Sequence, residues 1–213
     1  MSKPLTTTQT HSITPTGDDL LAKLHRYMSY AQGAYATNTE LAKANDWRLF
    51  VDWCEKQANS PLPASPETLA AFIDTMAQSH AVASIRRYVS TVSTAHRAVD
   101  VSNPCDSEIV KLALKRAARK NGVKQNQAAP VNWAHIESAL ATLGDGLLDC
   151  RDKALLCVGY DALLRRSELA AILVEHISVH EDGTGTLFIP KSKSDQYGEG
   201  AERPLAKLTI TYV

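Results

Sequence analysis

The stretch Thr39-Glu-Leu-Ala-Lys-Ala-Asn-Asp-Trp-Arg-Leu-Phe-Val-Asp-Trp-Cys54 decides the fold class. Its apolar residues recur every three or four positions, which is the spacing of one face of an α-helix. They are Leu41, Ala44, Trp47, Phe50, Val51 and Cys54. The stretch therefore predicts a helix that buries one apolar stripe, and it indicates a mainly helical fold.

More helices are predicted on both sides of this stretch. After a proline-rich break, Ser65 is placed to cap a helix that begins at Pro66, a favoured first position. Helices from about 83 to 99 and up to about Asn121 follow, each with its own apolar face, which in the last one includes Ile109. Residues 18–121 thus predict a compact, SAM-like domain of four to five helices, preceded by a polar, flexible tail over residues 1–17.

The pattern changes after residue 121. Residues 122–131 are polar and apolar-poor and contain a proline, which is typical of an inter-domain linker. Asn132 is placed to cap a short helix that ends at Gly144, and a more hydrophobic helix is expected over about 149–163. Strands are predicted at 176–179 and 186–189, around a hairpin-type turn, with a third strand within 203–210. Residues 132–213 therefore predict an α+β domain with a small antiparallel sheet.

The formal charge of the whole chain is zero, but the charge is unevenly distributed. Between Ala83 and Lys124 there are nine basic and three acidic residues, a local charge of +6, as a one-sided DNA-binding face would have. The four cysteines form no CxxC pair and no metal-ligand spacing, so we expect reduced thiols, no metal and a cytoplasmic location. No apolar run approaches the roughly 20 residues that span a bilayer.

Two polar clusters in the C-terminal part carry candidate chemistry. In Leu163-Leu-Arg-Arg-Ser-Glu-Leu169, a new short helix is expected to start at Arg165, with Glu168 one turn away on the same side. A carboxylate there can orient the guanidinium toward a phosphate. Lys193, near a turn between two strands, can donate a proton or neutralise a phosphate. Taken singly, such features are more often an ordinary salt bridge and a solvated loop lysine.

Together and in this order, the clusters resemble the catalytic core of tyrosine recombinases, the phage-integrase family, and most closely its Cre-like branch. Leu-Leu-Arg165-x-x-Glu168-Leu resembles the motif of the family's first catalytic arginine. Lys193, in Ser-Lys-Ser-Asp-Gln-x-Gly-Glu-Gly, falls where the family places a catalytic lysine on a hairpin. Upstream, Trp47 to Cys54 and Ser84-Ile-Arg-Arg-Tyr-Val, followed by Ala95-His96-Arg97, resemble helices of the family's core-binding domain. The resemblance runs from Asp19 to about Leu208.

The resemblance implies a clamp of two domains around double-stranded DNA and cleavage through a 3′-phosphotyrosyl intermediate. Arg165 is then expected to stabilise negative charge on the phosphoryl oxygens. Glu168 is expected to hold Arg165 in place, and Lys193 to protonate the departing 5′-oxygen. No metal and no nucleotide cofactor is expected, because the covalent link conserves the bond energy.

The resemblance also implies which helices face DNA. Arg87 lies where a relative reads base edges, so it is the predicted residue for sequence readout. The basic residues before Asn121 are expected to contact phosphates and to add affinity without specificity; a solvated helix face is the alternative. The predicted DNA-binding residues are Lys43, Asn45, Arg48, Ser84, Arg86, Arg87, Lys115, Arg116, Arg119 and Lys120.

The family's later motif has no candidate in this sequence. A His-x-x-Arg box, then His or Trp, then the nucleophilic tyrosine should follow the strands, and Tyr212 comes too early. The sequence also stops within or just after a predicted strand. We therefore expect an incomplete catalytic domain that does not complete strand exchange alone, whereas a full-length protein would self-associate on DNA.

Three functions stay open at this stage. The first is the N-terminal portion of a recombinase or integrase of a mobile element, whose full chain cuts and rejoins DNA. The second is a naturally short accessory protein that binds recombination sites without catalysis. The third is a helical protein-interaction scaffold. The target sequence and the direction of recombination do not follow from these residues.

Overall fold

A computed structural model describes residues 17–124, 127–193, 195 and 198–213 of the chain. The chain divides into two compact units, an N-terminal unit (Met1–Asn126) and a C-terminal unit (Gln127–Val213). The boundary between the units lies inside the segment 122–131. Over the described ranges, no helix combines the length and the apolar character that a membrane crossing needs.

The N-terminal unit is helical. Its helices are α1 (Gly17–Ala31), α2 (Thr37–Lys56), α3 (Pro66–Met76), α4 (Val82–Ala98) and α5 (Glu108–Asn121), with a 3-10 turn at Pro104–Asp106. The predicted start of α3 is confirmed: Pro66 is its first residue, and the Thr68 N–H donates to Ser65 Oγ at 3.1 Å. This bond satisfies one of the amides that a helix start leaves without an internal partner.

The core of the N-terminal unit is built from the apolar faces of α2 to α5. Phe50 and Phe72 meet edge to face with ring centres 5.1 Å apart, a favourable aromatic arrangement. Ile85 and Val110 are fully buried beside them. The predicted apolar faces are wrong at three positions: Leu41 is 56% exposed, Ile109 is 44% exposed, and Ala44 is exposed as well. Leu41 and Ala44 lie in the first half of α2, before the buried Phe50, and Ile109 lies beside the fully buried Val110 on a different side of α5.

His96 on α4 is completely buried and is hydrogen-bonded through both ring nitrogens. Its Nδ1 lies 2.8 Å from the Val92 carbonyl oxygen, and its Nε2 accepts from the Ala64 N–H at 2.9 Å. Because Nε2 accepts, the proton of the neutral ring is on Nδ1, which donates to Val92. Burial lowers the pKa of His96, and the bond to the Val92 carbonyl opposes that shift.

The N-terminal unit is expected to lose stability as the pH falls below about 6.5, where a histidine titrates in the unfolded chain. The unfolded chain binds a proton there that folded His96 does not, so the free energy of unfolding falls by up to about 1.4 kcal/mol per pH unit. Urea unfolding at pH 7.5 and 5.5 measures this. Trp47 and Trp53 report the N-terminal unit when Trp133, which lies in the C-terminal unit, is replaced by Phe.

The matched comparison is His96→Gln in the same background. This variant is expected to be less stable at pH 7.5, because it loses buried hydrogen bonds. Its stability should also vary less between pH 7.5 and 5.5, since the group that takes up the proton is gone. An equal pH dependence in both proteins would show that other groups control the acid sensitivity of this unit.

The C-terminal unit is an α+β arrangement. Its elements are α6 (Trp133–Leu140), α7 (Leu147–Asp161), α8 (Arg166–Leu169), a 3-10 turn at Val174–His176, β1 (Ile177–Val179), β2 (Gly185–Ile189), β3 (Ala201–Leu205) and α9 (Lys207–Ile210). In the described residues the strands form one antiparallel sheet, in the order β1-β2-β3, in which Leu187 faces both Ile177 and Arg203. Leu187 and Leu205 bury its inner face against Val158 of α7. The predicted fold class, mainly helical with a small antiparallel sheet, is confirmed.

Two boundary predictions in this unit are wrong. The predicted third strand, 203–210, ends at Leu205, and α9 replaces its second half. The cause is Asp161 at the end of α7, whose Oδ2 accepts from the Ala206 N–H at 2.8 Å and from Thr209 Oγ1 at 2.6 Å. This carboxylate fixes a helix start that the local sequence does not indicate. The helix expected to reach Gly144 ends at Leu140.

Candidate functional site

Arg165 and Glu168 form the centre of the candidate site at the start of α8. Arg165 is the residue that precedes the helix, and its backbone N–H donates to Glu168 Oε2 at 2.9 Å. Arg165 Nη1 donates to Glu168 Oε1 at 2.7 Å. The Glu168 side chain is 8% exposed and that of Arg165 is 54% exposed. The carboxylate is therefore held in the fold, while the guanidinium reaches solvent.

Lys193 joins this pair through its backbone. Its N–H donates to Glu168 Oε1 at 3.3 Å, so one carboxylate contacts two segments that are 25 residues apart in sequence. The Arg165 backbone N–H and guanidinium, together with the Lys193 N–H, hold the pKa of Glu168 below its ordinary value. Glu168 is thus an ionised acceptor at neutral pH. The structure brings together all three predicted catalytic residues, Arg165, Glu168 and Lys193.

An aspartate that the sequence analysis missed organises the segment after Lys193. The Asp195 carboxylate accepts from the backbone N–H groups of Gly198, Glu199 and Gly200 at 2.9, 3.0 and 2.8 Å. These bonds, the one from Gly200 first, lower the pKa of Asp195. The signal available in the sequence is an aspartate followed by two closely spaced glycines in a turn region.

The predicted DNA-binding residues of α2 and α4 lie on two helices that pack against each other. Asn45, Arg48 and Arg86 are exposed, and Lys43 and Ser84 are half-buried. The Lys43 ammonium lies 3.4 Å from the centre of the Tyr35 ring, a cation–π contact.

Arg87, the predicted base-reading residue, is engaged by a carboxylate that the sequence analysis missed. Its Nε and Nη2 donate to the two carboxylate oxygens of Asp46 at 2.8 and 2.9 Å. The Asp46 side chain is 3% exposed and that of Arg87 is 57% exposed. Asp46 fell on the polar side of the predicted α2 pattern, and only the packing of α4 against α2 shows that it is buried.

The cations of α5 are all exposed. Arg116 donates to Asp74 of α3 at 2.6 Å, which the sequence did not indicate. Lys115 and Arg119 are one turn apart on α5, as are Arg116 and Lys120, so they line adjacent rows of the helix surface. Among the residues that the structure describes, no group of three or more His, Cys, Asp or Glu side chains is arranged to hold a metal ion.

Comparisons with known proteins agree on the relationship of this chain, although no protein-family model matches it. An integrase/recombinase XerD homolog from Selenomonas ruminantium is 35% identical over 172 residues, covering 78% of this chain and 50% of that protein. The Cre recombinase of Escherichia phage P1 is 27% identical over 165 residues, covering 75% of this chain and 48% of that protein. The chain therefore spans about half the length of these relatives.

A solved structure shares the fold. The Tn1549 transposon integrase, solved in complex with circular-intermediate DNA, superposes with a TM-score of 0.55 at 13% identity, covering 89% of this chain and 62% of that one. At this identity the likeness bears on the fold alone. The sequence relatives and the shared fold lead to one conclusion: the chain belongs to the tyrosine recombinases of the integrase family.

Proposed function

We propose that this chain is the DNA-binding portion of a site-specific tyrosine recombinase that acts in DNA recombination or integration. The observation that carries the proposal is the shared Glu168 carboxylate, which accepts hydrogen bonds from both Arg165 and Lys193. An exposed guanidinium held by a nearly buried carboxylate is a suitable group for binding a phosphodiester.

In the proposed reaction, a tyrosine hydroxyl attacks the scissile phosphorus, and the bond from phosphorus to the 5′-oxygen breaks. Arg165 stabilises the negative charge that develops on the non-bridging oxygens. Lys193 gives a proton to the departing 5′-oxygen, and Glu168 orients both groups. Tyr212 is not proposed as the nucleophile, because it packs onto the apolar cluster around Ile136.

Duplex DNA is the proposed partner. The transposon integrase that shares this fold was solved in complex with DNA. In the proposed arrangement, residues 18–121 form the core-binding domain, residues 122–131 the linker and residues 132–213 part of the catalytic domain. The cations of α5 contact phosphates, and the candidates on α2 and α4 face the bases, with Arg87 as the proposed base reader. Self-association on DNA is proposed for the full-length protein.

Titration of the chain with a fluorescent duplex at several salt concentrations tests the proposal. A protein that binds phosphates releases counterions, so the logarithm of the binding constant falls linearly with the logarithm of the salt concentration, by about 0.9 per phosphate contact. Steep salt dependence supports the proposal. Absence of binding at low salt would favour a protein-interaction scaffold instead.

Neutralisation of the α5 cations is expected to flatten this salt dependence. The triple variant Lys115→Gln, Arg119→Gln, Lys120→Gln should reduce the slope by up to about 2.7, or about 0.9 for each lost contact. The control removes the same charge elsewhere in the N-terminal unit, with Lys23→Gln, Arg26→Gln and Lys56→Gln. Equal slopes for the two triple variants would show that α5 contributes only general charge.

A short accessory protein remains the second candidate, because the chain spans about half the length of its relatives. The intact mass of the native gene product distinguishes the two cases. A mass well above 23.2 kDa, with a covalent protein–DNA adduct, supports the recombinase. A mass of 23.2 kDa, with DNA binding and no adduct, supports the accessory protein.

A further inference from the structure

Asp195, between β2 and β3, is bonded to residues on both sides of it in the chain. Besides the three backbone N–H groups that its carboxylate binds, Asp195 donates its own N–H to Ser192 Oγ at 3.2 Å. Lys193 lies between these two residues. The backbone on both sides of Lys193 is therefore fixed by side chains, at Ser192–Asp195 and at Glu168.

Two glycines make this arrangement possible. Gly198 has φ +77° and Gly200 has φ +81°, a region that other residues rarely adopt. At Gly200, a Cβ atom would also lie 2.7 Å from the Phe188 ring. The backbone can thus turn its N–H groups toward the Asp195 carboxylate only because these positions carry no side chain.

We propose that Asp195 is a positioning residue that acts through Lys193: by binding the backbone N–H groups of Gly198, Glu199 and Gly200, it presents the Lys193 ammonium to a DNA phosphate. This inference rests on the proposed function, because it requires that Lys193 meets DNA. The contact between the Lys193 N–H and Glu168 is long, at 3.3 Å, and constrains one side of the lysine only. On the C-terminal side of Lys193, the hydrogen bonds of Asp195 supply the constraint on the backbone.

A double-mutant cycle on the intact chain tests the inference. Salt-dependent duplex binding is measured for Asp195→Ala, Lys193→Ala and the double variant. Each single change is expected to reduce the salt slope by up to about 0.9, the value of one phosphate contact. The double variant should lose no more than Lys193→Ala alone, because Asp195 acts only through the lysine.

Two controls separate this role from general loop damage. Asp182→Ala breaks another turn of the same unit, where the carboxylate accepts from the Thr184 N–H at 2.9 Å, and it should leave the slope unchanged. Asp195→Asn should reduce the salt slope less than Asp195→Ala does, because the one carbonyl oxygen of the asparagine can still accept from Gly198 and Glu199. Hydrogen exchange at Lys193, Gly198, Glu199 and Gly200 should be at least about tenfold faster in Asp195→Ala than in the wild type.

The outcomes distinguish this inference from the proposed function. If the wild-type chain does not bind duplex DNA, the proposed function fails and the inference fails with it. If the wild type binds but Asp195→Ala keeps its slope, the inference alone is wrong. Additive effects in the double variant, or unchanged exchange at these amides, would also overturn it.

Discussion

Arg165→Ala is expected to slow strand cleavage about 10²- to 10³-fold in the full-length product of the gene, the usual loss when one preorganised donor to a developing oxyanion is removed. Affinity for duplex DNA should fall less than tenfold, because in the proposed complex the guanidinium is one of several phosphate contacts. The measurement is the rate of covalent adduct formation on a duplex whose cleaved strand releases a short, freely diffusing segment. Quantification on a denaturing gel separates this rate from binding.

Arg166→Ala is the matched control for this prediction. Arg166 is the adjacent arginine and is also exposed, but of the two arginines it is Arg165 whose side chain donates to Glu168. Its loss should change the cleavage rate less than threefold, roughly the effect of one weak surface contact. Arg165→Lys should recover little activity, since an ammonium lacks the planar fork that binds a phosphate through two donors. Equal rates for the Arg165 and Arg166 variants would remove Arg165 from the proposed site.

Arg87→Ala is expected to destabilise the N-terminal unit by about 3 kcal/mol, because it leaves the buried Asp46 carboxylate without its partner. The estimate is at the lower end of the range for buried pairs, since Arg87 itself is more than half exposed. Urea unfolding in the Trp133→Phe background measures the change. The result matters for DNA binding, because a loss of affinity in this variant reflects unfolding unless stability is measured as well.

The double variant Asp46→Ala, Arg87→Ala decides whether the unpaired charge is the cause. Removing both partners leaves no buried charge, so the double variant should recover about 2 kcal/mol relative to Arg87→Ala. Asp46→Ala alone should cost less than Arg87→Ala, because the remaining guanidinium can be hydrated. A double variant as unstable as the sum of the single variants would mean that the two side chains stabilise the fold independently.

The sequence was sufficient where a local pattern determines the structure. The helical repeat of α2 and the Ser65–Pro66 start of α3 follow from spacing and capping chemistry within a few residues. The placement of Arg165 before a short helix, with Glu168 one turn later, follows in the same way. The hairpin between β1 and β2 was predicted from a turn signal between two β-prone stretches.

Apart from Asp195, whose partners lie three to five residues away, the contacts that the sequence did not reveal join distant residues. Asp46 lies 41 residues from Arg87, and Asp161 lies 45 residues before the Ala206 amide that it fixes. Each of these aspartates is unremarkable in its own segment, and its role becomes visible only when a second element packs beside it. The bond from the Lys193 N–H to Glu168 is of the same kind. Nothing in the sequence around Lys193 indicates that its backbone donates to the same carboxylate as Arg165.

The sharing of Glu168 has a mechanical consequence. Because one carboxylate is bonded to the start of α8 and to the Lys193 backbone, a small displacement of α8 is expected to carry the Arg165 guanidinium and the Lys193 backbone in the same direction. The spacing between the Arg165 guanidinium and the Lys193 backbone is then conserved. The β1–β2 hairpin turn lies between the motifs in sequence but outside this chain of bonds. Its length can therefore vary without altering the separation of the Arg165 guanidinium and the Lys193 backbone.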